Sequence, residues 1–181
     1  MDEFTGTVYV SVALQKHPWW IPDPLLITTE ALPNIRRPWS QLIGQPLEST
    51  VAVSRLIFGG VLEHYPNLKI CVAHGGGYLP YYAGRMDHAY KVRPECQKVI
   101  SRPPSAYLRQ LYYDTVIYTG ESLSHLVRQV GSDQVLLGTD YPADMGEADP
   151  VGYINSVRSL SRADKEKIWG SNAARLLKIT Q

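Results

Sequence analysis

The sequence has only two cysteines, no long apolar run and almost no net charge, and each absence excludes a class of protein. Cys71 and Cys96 are too few and too far apart for a disulfide framework or a CxxC metal site. No stretch of about 18 apolar residues is present, so no transmembrane helix is expected. A formal net charge of +1 gives no electrostatic reason to expect nucleic acid or an anionic membrane as a partner.

The first residues also lack the pattern of a secretory signal peptide. The sequence begins Met-Asp-Glu-Phe, which is acidic where a signal peptide is basic. Together with the scarcity of cysteine, this predicts a reducing, cytoplasmic setting. We expect one domain over residues 1–181, because this length supports one substantial core and no repeat or linker interrupts it.

Strand-like and helix-like segments alternate along the chain. β-Branched and aromatic residues favour strands, whereas apolar residues at helical spacing favour helices. The predicted strands cover residues 7–14, 69–73, 111–116 and 134–139. The predicted helices cover residues 47–64, 80–91, 121–130, 150–160 and 161–177, with loops over residues 18–46 and 91–105. This alternation indicates an α/β fold with a parallel sheet built from βαβ units.

Two of the predicted strands end on an ionisable side chain. His74 follows an apolar segment and precedes three glycines that leave room for close backbone approach, and Asp140 ends a second apolar segment. In parallel α/β proteins, the carboxyl ends of the strands carry the functional residues. An imidazole and a carboxylate at this edge suit a divalent metal or a metal-bound water. The alternatives are a hydrogen-bonded turn for His74 and a turn or helix cap for Asp140.

The number of predicted strands is small for the fold that such strand ends suggest. A closed eight-stranded barrel takes about 250 residues, and four strands cannot close one. An open four-stranded sheet has two unpaired edges and an uncovered apolar face. The sequence therefore predicts that the chain is either incomplete or forms a homo-oligomer, most simply a dimer.

Several longer stretches carry a more specific signal. They are FGGVLEHYPNLKI at residues 58–70, AHGGG at 73–77, GTDYP at 138–142 and GSNAARLL at 170–177. Together they resemble the amidohydrolase-related metal-dependent decarboxylases. Two further stretches, GRMDH at residues 84–88 and VRPEC at 92–96, are most similar to the aminocarboxymuconate semialdehyde decarboxylase subgroup.

This resemblance implies a fold and a metal site. Members of the family are (β/α)8 barrels, and this chain is similar to about strands five to eight with their helices, the C-terminal half of a barrel. The implied cofactor is a divalent metal, most often Zn2+. By similarity, His17 and Asp140 are metal ligands, and His74 is the catalytic histidine that exchanges a proton with a metal-activated water.

The resemblance also implies residues that contact the substrate. Arg85 and Arg93 are similar to arginines that hold a substrate carboxylate by a forked contact, and one of them could reach it across a dimer interface. Trp39 roughly matches an aromatic residue that lines the substrate site, although its spacing to Gly44 differs. The implied partner is a small-molecule carboxylate.

One feature of the family is missing from the sequence. No His-x-His pair, which in the family supplies two metal ligands, occurs among the 181 residues. Catalytic zinc sites typically use three protein ligands, whereas His17 and Asp140 are two. The resemblance nevertheless implies a metal-dependent carboxy-lyase that acts on a small unsaturated or aromatic carboxylic acid. Two alternatives remain open: a hydrolase of the same superfamily, or a catalytically inactive half-barrel that is either a fragment or an assembly subunit.

Overall fold

The computed structural model describes residues 7–10 and 40–179. His17, Trp39 and most of the predicted loop over residues 18–46 lie outside the described residues. Within these ranges, no helix is long and apolar enough to cross a membrane.

In the described part of the chain, three short strands form a parallel sheet. They are β1 (Thr7–Val10), β2 (Lys69–Val72) and β3 (Tyr112–Tyr113), in the order β1-β2-β3. In the register, Val8 pairs with Ile70 and Cys71 pairs with Tyr112. β2 and β3 are shorter than predicted, and the predicted first strand continues beyond the described residues. The parallel pairing of the three strands confirms the α/β prediction.

The fourth predicted strand, over residues 134–139, is reduced to a single parallel bridge between Tyr113 and Val135. Beyond that bridge, other groups replace the expected strand partner. The Thr115 hydroxyl donates to the Gly138 carbonyl and accepts from the Gly138 N–H, each over 3.1 Å. The Leu137 N–H donates to the carbonyl of Ile168 over 3.0 Å. The segment therefore follows the sheet without forming a ladder.

Helices surround the sheet and connect its strands. They are α1 (Gln45–Phe58), α2 (Val61–His64), α3 (Leu79–Val92), α4 (Ser105–Leu108), α5 (Gly120–Val130), α6 (Pro150–Ser156), α7 (Arg162–Glu166) and α8 (Asn172–Leu177). Single 3-10 turns occur at His74–Gly76, Pro94–Gln97 and Ser132–Gln134, and π-helical turns occur at Ser40–Gly44 and Lys167–Ser171.

Two of the predicted helices are interrupted. The predicted helix over residues 47–64 divides because Gly60 adopts a left-handed backbone with φ of 74°, so α1 ends at Phe58 and α2 begins at Val61. The predicted closing helix over residues 161–177 is divided by a π-helical turn between α7 and α8. Ser161 is the N-cap of α7, where Ser161 and Asp164 form a reciprocal capping box.

The side chains of β2 alternate between the two faces of the sheet. Ile70 and Val72 point into the main core, which the helices complete. Cys71 is partly buried on the opposite face, where it contacts a small cluster of Tyr112, Leu136 and Leu176. Since Leu176 belongs to α8, this helix packs against the second face.

Asn172, at the start of α8, is fully buried and joins that helix to the segment after α5. Its amide nitrogen donates to the carbonyls of Ser132 and Val135 over 2.7 and 2.8 Å. We expect Asn172→Ala to lower the free energy of unfolding by about 1–3 kcal/mol, because two buried carbonyls lose their donor. Urea denaturation measures this. The control is Asn155→Ala, which truncates an exposed side chain, and an equal loss in both variants would contradict the assignment.

Candidate active site

His74 and Asp140 line the same cavity, which has a volume of about 370 Å³. The cavity lies beyond the carboxyl ends of the parallel strands. His74 follows β2, Tyr118 follows β3, and Asp140 follows the bridged fourth segment. The structure thus brings together the two strand-end side chains that the sequence singled out.

Three residues lining this cavity have a left-handed backbone that side chains with a Cβ rarely adopt. The φ angles are 58° for His74, 59° for Tyr118 and 58° for Asp140. Among the described residues, Lys178 is the fourth non-glycine residue with positive φ. Each such residue costs of order 1–3 kcal/mol, and such strain concentrates at functional sites. Three of the four such residues in the described part of the chain therefore line this cavity.

The three glycines after His74 allow neighbouring elements to approach closely. A Cβ at Gly75 would lie 2.5 Å from Cγ2 of Ile117, and one at Gly77 would lie 2.2 Å from the carbonyl oxygen of Pro46. Both glycines also have positive φ. The prediction that these glycines leave room for close backbone approach is confirmed.

Asp114 holds the backbone of this turn, and the sequence analysis missed it. Its carboxylate accepts hydrogen bonds from the N–H groups of His74 (3.0 Å), Gly75 (2.8 Å) and Val116 (3.1 Å). Burial raises the pKa of Asp114, and these three hydrogen bonds oppose the rise. An available signal was that Asp114, like His74 and Asp140, is an ionisable residue at the end of an apolar strand.

The His74 ring contacts α1 on its other side. Oγ of Ser49, which is only 3% exposed, lies 3.3 Å from Nδ1 of His74. Thr50 secures the same helix turn: its hydroxyl donates to the Pro46 carbonyl and accepts from the Tyr78 N–H. Asp114 thus fixes the backbone of His74, and Ser49 lies at hydrogen-bonding distance from its ring. No sequence pattern distinguishes Ser49 from other small helix residues.

The electrostatics of the cavity are set mainly by carboxylates. Tyr118 has a raised pKa because of burial and, secondarily, because of the nearby carboxylates of Asp140, Asp114 and Glu147. No arginine or lysine is among the described residues that line the cavity. Because its pKa is raised, the phenol of Tyr118 stays protonated at neutral pH and can donate a hydrogen bond.

Both arginines predicted to bind the substrate are solvent-exposed in this chain. Arg85 lies on the surface of α3, and Arg93 follows that helix, with Nη1 4.0 Å from Oε1 of Glu95. Neither lines the cavity. Their role in substrate binding, within one chain or across a dimer interface, stays a prediction.

The donors at the cavity fit a divalent metal in kind but not in number. An Asp carboxylate and a His imidazole are common ligands of such ions. Within residues 7–10 and 40–179, however, no three His, Cys, Asp or Glu side chains are grouped closely enough to hold one. The described residues alone therefore do not complete a catalytic metal site, and the third proposed donor, His17, lies outside them.

Comparison with known proteins assigns the class. The amidohydrolase family model matches residues 9–179, so the chain belongs to the amidohydrolase family. It is 38% identical over 162 residues to the 2-amino-3-carboxymuconate-6-semialdehyde decarboxylase of Dictyostelium discoideum, an alignment that covers 89% of this chain and 43% of that protein. The chain therefore spans less than half the length of this curated relative.

Solved structures support the same assignment. The apo form of Metarhizium anisopliae IDCase matches with a TM-score of 0.73 and 25% identity, over 87% of this chain and 46% of that one. A dihydroxybenzoic acid decarboxylase from Polaromonas sp. JS666, with bound manganese and the inhibitor 2-nitroresorcinol, matches with a TM-score of 0.68 and 27% identity, over 87% and 54% of the two chains. These matches support the α/β fold. The assignment of strands five to eight of a barrel stays a prediction.

Proposed function

We propose that this chain carries the catalytic histidine of a metal-dependent carboxy-lyase that acts on a small unsaturated or aromatic carboxylic acid. One observation carries the proposal: His74 and Asp140, both with a strained backbone, line one cavity at the carboxyl ends of parallel strands. The family membership and the named decarboxylase relatives support the reaction class.

His74 is proposed to move the proton that the reaction needs. When a carboxylate leaves as carbon dioxide, its bonding electron pair stays on the substrate carbon, which must then take up a proton. An imidazole suits this role because its ordinary pKa is close to neutral pH. Asp114 and Ser49 would keep the imidazole in place during the transfer.

Asp140 and His17 are proposed to hold the metal, with any further ligand from outside the described residues. A bound divalent cation supplies positive charge that stabilises the electron-rich transition state. Zn2+ is the ion that the sequence resemblance implies, and Mn2+ is the alternative, because the Polaromonas relative contains manganese.

A second candidate function is an assembly subunit without catalysis of its own. One observation favours it: the described residues contain no complete group of three metal ligands. On this hypothesis, His74 and Asp140 would be retained from a catalytic ancestor but would have no role in catalysis or metal binding in this chain. The predicted homo-oligomer and the cytoplasmic setting are compatible with either candidate.

Metal binding separates the two candidates. We expect the purified full chain, supplied with Zn2+ or Mn2+, to bind about one ion, and we expect Asp140→Asn to weaken that binding by at least about 10-fold. Isothermal titration and elemental analysis measure both. The control is Asp144→Asn, which alters an exposed aspartate four residues away that does not line the cavity.

Turnover is tested on the metal-loaded chain. The substrates are 2-amino-3-carboxymuconate-6-semialdehyde and a dihydroxybenzoic acid, which are named for the relatives. Release of carbon dioxide from either supports the carboxy-lyase. A chain that binds no metal, or binds it without turnover of either acid, would favour the assembly subunit.

A further inference from the structure

Three tyrosines line the cavity, and two of their hydroxyls are already bonded to the protein. The Tyr78 hydroxyl donates to the Ile43 carbonyl, and the Tyr81 hydroxyl donates to the Ser122 carbonyl, each over 3.3 Å. The Tyr118 hydroxyl makes no hydrogen bond to any described residue, and the residue is 39% exposed. Among these three phenols, Tyr118 is the one whose donor is available to a ligand.

The backbone on both sides of Tyr118 is fixed. On one side, Thr115 is bonded to Gly138 in the fourth segment. On the other side, Thr119 is the N-cap of α5, with its hydroxyl accepting from the Ser122 N–H over 3.1 Å. Tyr118, with its positive φ, thus lies in a short segment that is anchored at Thr115 and at Thr119.

The residues that line the cavity indicate which ligand groups the Tyr118 hydroxyl would bind. Among the described lining residues there is no arginine or lysine, and Asp140 contributes a carboxylate. A substrate carboxylate would thus need neutral hydrogen-bond donors in this part of the chain. A phenol hydroxyl provides one, and its ring offers a flat apolar surface to an unsaturated or aromatic acid.

We propose that Tyr118 contacts the substrate, with its hydroxyl donating a hydrogen bond to a carboxylate oxygen of an unsaturated or aromatic acid. This inference rests on the proposed function, since it takes the cavity to be the substrate site. It adds a specificity-determining residue: the hydroxyl distinguishes an acid from a neutral compound of similar shape.

The test compares two probes of similar shape, 2-hydroxybenzoate and 2-hydroxybenzyl alcohol, binding to the full chain by ligand-observed NMR. We expect Tyr118→Phe to weaken binding of the benzoate by about 10-fold, as is typical for a lost hydrogen bond to a charged group. Binding of the alcohol should change by less than about 2-fold, because it lacks the charged acceptor. Tyr82→Phe is the matched control, since Tyr82 is an exposed tyrosine of the same helix as Tyr81 that does not line the cavity.

The other outcomes overturn the proposal in distinguishable ways. Equal weakening of both probes would assign Tyr118 to the shape of the cavity rather than to carboxylate recognition. Unchanged binding of the benzoate would remove Tyr118 from the site but leave the carboxy-lyase proposal standing. If the unmutated chain bound neither probe, carboxylate binding in this cavity would be overturned together with the proposed function. A thermal melt of Tyr118→Phe that matches Tyr82→Phe verifies that the variant is folded.

Discussion

Replacing His74 with asparagine is expected to lower the rate of carbon dioxide release by about 10²- to 10⁴-fold, the usual contribution of a positioned general acid or base. Asparagine is the appropriate replacement because it tolerates the left-handed backbone that His74 adopts, with φ of 58°. The variant therefore removes the imidazole without adding backbone strain. The rate is measured on the metal-loaded chain at saturating substrate.

The matched control for this variant is His88→Asn. His88 is an exposed histidine on α3 that does not line the cavity, so its replacement is expected to leave the rate within about 2-fold. Circular dichroism on both variants verifies the fold. If His74→Asn kept more than about a tenth of the rate, His74 would not be the proton-transfer residue.

Residues at strand ends could be recognised from sequence because the signal is local. His74 and Asp140 each end an apolar segment, and a polar side chain at that position needs a partner or a function. Asp114 carried the same signal, but it lies between Tyr113 and Thr115 in a run whose β-propensity predicted a continuous strand. The structure ends β3 at Tyr113, which places Asp114 at a strand end as well.

Contacts between distant segments could not be recognised in this way. Ser49 approaches His74 across 25 residues of sequence, and only the packing of α1 against the glycine turn brings the two together. The directions of the Arg85 and Arg93 side chains likewise depend on how α3 lies on the sheet. The motif resemblance named these arginines as substrate contacts, but it carries no information about whether one chain alone can bring them to the cavity.

The fourth strand illustrates how tertiary contacts override local propensity. Residues 134–139 have the β-branched and apolar character of a strand, and the chain does run parallel to β3 at Val135. Beyond it, the Thr115 side chain and the Ile168 carbonyl bond the backbone groups that a neighbouring strand would otherwise use. Asp140, which lines the cavity, follows this segment directly.

Replacing Asp114 with alanine is expected to lower the free energy of unfolding by about 2–4 kcal/mol. Three backbone N–H groups, including that of His74, lose their acceptor, and the carboxylate that they surround leaves a space. The control is Asp133→Ala, which removes a half-exposed carboxylate paired with Lys167 and Arg175 and should cost less than about 1 kcal/mol. Urea denaturation compares the two, and equal losses would mean that Asp114 does not support the turn.

Asparagine at position 114 removes the charge and keeps one acceptor oxygen for the Gly75 and Val116 N–H groups, whereas its amide nitrogen cannot accept from the His74 N–H. Because burial raises the pKa of Asp114, the folded state keeps the carboxyl proton to a higher pH than the unfolded state does. The stability that this group contributes is fully present below about pH 4 and is lost as the pH rises through the folded-state pKa. Asparagine cannot ionise, so the unfolding free energy of the wild type, measured relative to Asp114→Asn, should fall over that range. Parallel stability curves from about pH 4 to pH 8 would instead mean that the three hydrogen bonds fully offset the burial of the charge.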